Sequence, residues 1–246
     1  MEQLEKQFEQ ERKEIGRGMM AKVYLWNGFA YKCFNDGYPQ LWIDHEMYIQ
    51  KQICTTALPV VRYYDSEFKN SIKMDYIDGC TMADRIRSKE DPNALDELMR
   101  LFESVHEEKG LQIPDLYEGI SSAVPTAPVS EEIKTKALSC LNEVSESVKE
   151  EPCLCHLDYH FLNLMYSQDK YYIIDWIGAK NGKAIFDYAR SYVIMYEFVK
   201  SFSGKYLKKV MSLGRYSKED FDKAVYVMAV HRLTEYNDEK VHELLK

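Results

Sequence analysis

The chain has 246 residues, enough for one large domain or two small lobes, and its 46% hydrophobic side chains with only 11 Gly and 7 Pro exclude a linker or fibre. Its 40 Asp plus Glu against 32 Lys plus Arg leave a net charge of −8, the wrong sign for binding nucleic acid through phosphate neutralisation. The opening MEQLEKQFEQERKE has no secretory pattern, no run of about 18 apolar residues follows, and 6 scattered Cys form no paired framework, so a cytoplasmic protein with reduced thiols and no membrane segment is expected.

Val23 to Trp26 and Phe29 to Phe34 read as strands around Asn27-Gly28, a dipeptide suited to the two positive φ angles of a type I′ turn. Lys32 then lies on the second strand. Gln40 to about Ile53 reads as a helix, and Val60 to Tyr64 and Ser71 to Ile77 as strands, giving a small sheet with one inserted helix. After Asp78-Gly79 the period becomes helical. Leu95, Leu98, Phe102 and Val105 share one face of a helix that Asp91-Pro92 starts and Gly110 stops. Pro114 to Pro128 reads as a polar, Pro-punctuated loop. Ser130 with Glu131 and Glu132 opens a helix whose face runs Ile133, Ala137, Leu141, Val144 and Val148. Ser217 and Asp220 form a capping box ahead of Phe221, Val225 and Met228. The expected class is α+β, strand-rich first and helical afterwards.

Between the last two helical stretches lies CLCHLDYHFLNLMYSQDKYYIIDW. Leu162 to Tyr166 and Tyr171 to Asp175 read as two short strands around Ser167-Gln168-Asp169-Lys170. Asn163 stands six residues before Asp169 and Asp175 six after it, so a simple antiparallel hairpin makes them face each other at its open end. Asp158, in the loop leading in, can approach the same point. Three oxygen-bearing side chains suit a hard cation such as Mg²⁺ with substrate phosphates.

His156-x-Asp158-x-His160-x-x-Asn163, followed by Ile174-Asp175-Trp176, resembles the catalytic loop and metal segment of the protein-kinase-like small-molecule phosphotransferases, the aminoglycoside phosphotransferase and choline kinase family. The resemblance spans nearly the whole chain. It implies a bilobal protein-kinase-like fold, with residues 1–78 as a nucleotide-binding lobe and residues 79–246 as a helical lobe carrying the catalytic loop and acceptor site. It also implies that Asp158 faces the acceptor hydroxyl and that Asn163 and Asp175 hold Mg²⁺. Glu14-Ile15-Gly16-x-Gly18-x-x-Ala21-x-Val23 is similar to the Gly-rich phosphate loop, with Ala21 in place of a third glycine. Lys32 in Ala30-Tyr31-Lys32 matches the phosphate-contacting lysine and Glu46 its helix partner. The carbonyl of Asp75 and the NH of Ile77 match the adenine-binding backbone, and Asp187 a structural aspartate that braces the loop or caps the next helix. His156 reads as a structural hydrogen-bonder, and His160 is left open.

The resemblance implies ATP, with GTP as the alternative, and Mg²⁺ as cofactors of a kinase acting on a hydroxyl. Only eleven residues separate Asp175 from Asp187, too short for a long peptide-presenting segment, so a small acceptor ranks ahead of a protein. An aminoglycoside or an amino alcohol such as choline or ethanolamine fits. Glu197, Glu235, Asp238 and Glu239 offer negative charge to an amine, and Tyr188, Tyr192 and Tyr196 offer aromatic faces. Terminal-helix glutamates are more often solvated, however, and four-residue tyrosine spacing more often marks a core stripe. A metallohydrolase built on His156, Asp158 and His160 and a nucleotide-binding pseudokinase are the rival readings.

Overall fold

The computed structural model describes residues 2–246, which cluster into two compact units, residues 2–85 with Leu164–Ile177 and Ile86–Asn163 with Gly178–Lys246. The chain begins with α1 (Glu2–Glu11), β1 (Lys13–Arg17), β2 (Ala21–Trp26), β3 (Phe29–Phe34) and α2 (Gln40–Ile53). It continues through β4 (Tyr63–Tyr64), β5 (Ser71–Asp75), β6 (Cys80–Thr81) and α3 (Met82–Ser88). Then come α4 (Ala94–Glu107), α5 (Leu116–Ala123), α6 (Glu131–Ser147), β7 (Cys153–Cys155), β8 (Leu164–Ser167) and β9 (Lys170–Ile173). The last elements are β10 (Lys180–Gly182), α7 (Ala184–Phe198), α8 (Lys200–Ser212), α9 (Lys218–Glu235) and α10 (Glu239–His242).

In the first unit an antiparallel sheet runs in the order β1-β2-β3-β5-β4. Asn27 (φ 46°) and Gly28 (φ 78°) take the left-handed conformations of the expected hairpin turn. Strand alternation divides the side chains. Ala21, Phe34 and Ile72 face Ile43 of α2, with Tyr38, Met47 and Tyr63 packed at the edge. Trp26 and Tyr31 on the other face meet Phe8 of α1, joined by Tyr24, Phe29, Cys33 and Phe68. Phe8 stacks on Phe68 at 4.1 Å and meets Tyr31 edge-on at 5.3 Å. Helix α1 lies in the charged opening segment, which the sequence reading left without an element; a single buried aromatic, Phe8, ties it to the sheet.

Strands β6, β8 and β9 form a second sheet in the same unit. The chain enters it through Gly79, where an added Cβ would sit 2.0 Å from the Tyr166 carbonyl oxygen, so only glycine permits this backbone approach. Ser167 Oγ donates to the Asp78 carbonyl at 2.8 Å beside it. The sequence division at residues 78 and 79 falls just before β6, whose pairing with β8 draws Leu164–Ile177 into the first unit.

The second unit is mainly helical. Leu98, Phe102 and Val105 are buried on α4, Ala137, Leu141 and Val144 on α6, and Phe221 and Val225 on α9, as the periodicity predicts. Ser130 and Ser217 accept from the Ile133 and Asp220 N–H groups as N-caps. The segment Pro114 to Pro128 differs from the expected loop. Asp115 caps α5 by accepting from Glu118 N at 2.9 Å, Leu116 and Ile120 are buried, and Val124–Thr126 continues as a 3₁₀ turn. The prolines precede the cap and follow the helix rather than interrupting it, so they frame α5.

Phe8→Ala is expected to lower the unfolding free energy by about 3 kcal/mol in denaturant titration. Gly79→Ala is expected to lower Tm through its clash with Tyr166. Gly204→Ala, at an exposed position of α8 where an added Cβ meets nothing within 4 Å, is expected to raise stability by about 1 kcal/mol.

Candidate active site

Strand register places the first group. Gly16 pairs with Val23, and Val23 with Lys32, so the three residues form one row across β1, β2 and β3 on the face toward α2. A register shift between Glu14 and Gly16 leaves Ile15 outside the ladder. The turn beyond is closed by Gly18 N–H donating to the Ala21 carbonyl at 2.9 Å, while Asn35 N and Nδ2 donate to the Met20 and Met19 carbonyls. Ala21, where the resemblance has a third glycine, buries its methyl in the core against α2.

Lys32 Nζ lies 2.7 Å from Glu46 Oε1 and 3.4 Å from Asp175 Oδ1. Burial works against the Lys32 charge, yet Asp175 and Glu46 outweigh it and hold the ammonium above the usual lysine range. Glu46, 2% exposed, has its carboxyl pushed up by burial, with Lys32 opposing that shift. Its Oε1 also accepts from the Tyr63 hydroxyl at 3.2 Å. Sequence reading missed Tyr63, which carries no motif and stands seventeen residues beyond Glu46.

Asp175 follows β9 with φ 64°, a left-handed conformation uncommon for a residue with a side chain. The β8–β9 register pairs Leu164 with Ile173 around left-handed Gln168 and Asp169. The ladder ends with that pair, and its centre lies between Gln168 and Asp169, not on Asp169 as the expected hairpin has it, so the register differs by one step from the one that opposes Asn163 to Asp175. Asp75 ends β5, where its carboxylate accepts from Arg62 N and the Tyr64 hydroxyl, and Ile77 lies in the link from there to β6.

In the second unit Asp158, Asn163 and His160 come together. Asn163 Nδ2 lies 2.8 Å from the Asp158 carbonyl and 2.9 Å from its Oδ2. Two facing oxygens fix the amide orientation, leaving Asn163 Oδ1 as an acceptor without a partner among the described residues. His160 Nδ1 accepts from Leu162 N at 3.2 Å, which puts the ring proton on Nε2, 3.5 Å from Asp158 Oδ2. Burial works against the Asp158 charge, but His160, Arg190 and His156 outweigh it and hold the carboxyl well below the usual carboxylate range. The group is therefore held as an ionised carboxylate.

The loop carrying Asp158 is fixed from beneath by buried Asp187. Its two oxygens accept from His156 N at 2.7 Å and Leu157 N at 2.8 Å, and one of them also meets His106 Nε2 at 3.0 Å. Leu157 is held at φ 63°, and Arg190 Nε donates to its carbonyl at 3.0 Å. Asp187 thus braces the loop; the cap position of α7 belongs to Lys183. His156 is fully buried, its Nδ1 accepting from Asp158 N. The bracing roles of His106 and Arg190 had no sequence signal, since their partners stand 81 and 33 positions away.

The acids offered above to an amine are largely engaged. Glu197 is buried against Arg232 Nε at 2.8 Å, Glu235 bonds Arg190 and Arg232, and Asp238 caps α10. Tyr188 is a core residue. Among the described residues no three His, Cys, Asp or Glu side chains form a metal cluster, and all 6 cysteines are free thiols. Taken each in its own unit, Asn163 Oδ1 and the Asp175 carboxylate, whose Oδ1 faces Lys32, are oxygens of the type a hard cation accepts.

A family model described as the phosphotransferase enzyme family (APH) matches residues 73–211, the span that holds Asp158, Asn163 and Asp175. No curated protein sequence matches the chain. Among solved structures, a thermostable mutant of aminoglycoside phosphotransferase APH(4)-Ia in ternary complex with ADP and hygromycin B is 12% identical, with TM-score 0.68, 99% of this chain and 97% of that chain covered. Choline kinase LicA from Streptococcus pneumoniae is 14% identical, with TM-score 0.66 and coverages of 99% and 96%. A choline/ethanolamine kinase family protein from Mesorhizobium loti is 12% identical, with TM-score 0.64 and coverages of 91% and 76%. At such identities the likeness speaks for the fold, the α+β protein-kinase-like architecture expected from the sequence. With more than half of its length matched by the family model, the chain belongs to the phosphotransferase enzyme family, whose reaction is phosphoryl transfer.

Proposed function

We propose that the chain is an ATP-dependent kinase, with GTP as the alternative donor, that moves the γ-phosphoryl group to a hydroxyl of a small molecule of the aminoglycoside or amino-alcohol class. The observation that carries this reading is the Lys32 ammonium held between Glu46 and Asp175, a fixed cation of the kind that steadies nucleotide phosphates. Nucleotide use is supported by the fold neighbours, solved with ADP, AMP-PNP or AMP. The acceptor class is supported by the hygromycin B complex of one neighbour and the choline kinase identity of another.

In this reading residues 1–78 bind nucleotide and residues 79–246 carry the acceptor chemistry. Gly16 and Gly18 shape the turn at the triphosphate, and the Asp75 carbonyl and Ile77 N–H hold the base. Asn163 and Asp175 supply the oxygens for Mg²⁺, which when bound neutralises phosphate charge. Asp158 is the catalytic residue. Because the transition state is loose, Asp158 need only orient the acceptor hydroxyl and take its proton as the oxygen–phosphorus bond forms. Asn163 keeps one Asp158 oxygen occupied, which fixes the carboxylate plane.

The test is ADP release from Mg²⁺-ATP against separate pools of amino alcohols, aminoglycosides, sugars and nucleosides. Acceptor-dependent ADP from the aminoglycoside or the amino-alcohol pool is expected. In Asp158→Asn, turnover should fall by about 100-fold or more while AMP-PNP affinity stays within about threefold. An unimpaired rate in that variant removes Asp158 from the mechanism.

A further inference from the structure

We propose that Tyr63 is a positioning residue for the nucleotide phosphates: its hydroxyl, bonded to Glu46 Oε1, sets the carboxylate that aims the Lys32 ammonium. The inference rests on the nucleotide reading above and assigns a residue that lies outside the matched family span.

The geometry is asymmetric. Glu46 Oε1 takes both donors, Lys32 at 2.7 Å and Tyr63 at 3.2 Å, while its buried Oε2 has no partner among the described residues. An ammonium is a point charge with rotatable donors and imposes little angular preference on a carboxylate. Asp175, 3.4 Å from the same ammonium, competes for it. Without a second donor on Oε1 the carboxylate is free to turn and Lys32 to lean toward Asp175. The Tyr63 hydroxyl supplies that donor from a rigid ring. Burial, with the Glu46 and Asp175 charges, holds the phenol well above its ordinary range, so the hydroxyl remains a donor.

Tyr63 is itself firmly placed. It pairs with Met74 of β5 and packs on the face toward α2, while its neighbour Tyr64 sends its hydroxyl to Asp75. On its outer side lies an open groove of about 730 Å³ lined by Met47, Lys51, Cys54 and Arg62 among others. The Tyr63 ring is part of that wall, and Glu46 behind it is 2% exposed. The ring thus supports a buried carboxylate whose orientation matters.

The experiment is calorimetric titration of AMP-PNP with Mg²⁺ into wild type, Tyr63→Phe, Lys32→Met and the double variant, with Tm recorded for each. Tyr63→Phe should weaken binding by about three- to tenfold, a fraction of what one hydrogen bond to a charged group is worth, while the lost bond to buried Glu46 lowers Tm by only about a few degrees. In the Lys32→Met background it should weaken binding by less than about twofold, because there is no ammonium left to aim. Tyr31→Phe, which removes a comparable hydroxyl contact to Glu67 on the opposite face of the sheet, should bind like wild type. Equal losses from Tyr63→Phe with and without Lys32, or wild-type affinity in the single variant, overturn the role while leaving the nucleotide reading intact. Failure of wild type to bind either AMP-PNP or GMP-PNP overturns the nucleotide reading and this role with it.

Discussion

One ammonium group between two carboxylates organises the first unit. Lys32 comes from the sheet, Glu46 from the helix packed on it, and Asp175 from the segment after the β8–β9 hairpin, so three separate parts of the chain meet at one charge. Glu46 is buried and Lys32 largely so, while Asp175 stays partly exposed, and a buried charge is tolerated only with its partner. The count leaves one negative charge over. That excess makes the cluster a poor place for a bare polyanion and a good one for a polyanion that arrives with a cation, which is why Mg²⁺ belongs in the proposed chemistry.

A second buried carboxylate does the corresponding work in the other unit. Asp187 accepts two consecutive N–H groups and thereby holds Leu157 in a left-handed conformation immediately before Asp158. Arg190 closes the same turn through the Leu157 carbonyl. The loop's shape therefore comes from hydrogen bonds to helix α7. The ionised state of Asp158 follows from that placement, with His160 and Asn163 converging on its Oδ2.

Local signals were legible and long-range ones were not. The Asn27-Gly28 turn, the span of α2 and the Ser130 and Ser217 caps follow from rules that act within a few residues. So does the order of motif residues from Lys32 to Asp175. Helix α5 was hidden because Pro114, Pro125 and Pro128 read as punctuation although all three stand outside its ends. Helix α1 was hidden because one buried Phe8 gives no periodicity. The hairpin register missed by a single step, and a single step exchanges the residues that oppose each other. Tyr63, His106 and Arg190 are defined wholly by partners far along the chain, which spacing cannot reveal.

The claim on which the account turns is that Asp175 makes the Lys32 cluster dependent on a cation. It is tested most directly by measuring AMP-PNP affinity with Mg²⁺ and with EDTA in wild type and Asp175→Asn. Mg²⁺ is expected to tighten binding to wild type by about tenfold or more, whereas the variant should lose this gain and bind the metal-free nucleotide at least as well as wild type. A variant that keeps the Mg²⁺ gain, or that binds metal-free AMP-PNP more weakly than wild type, contradicts it.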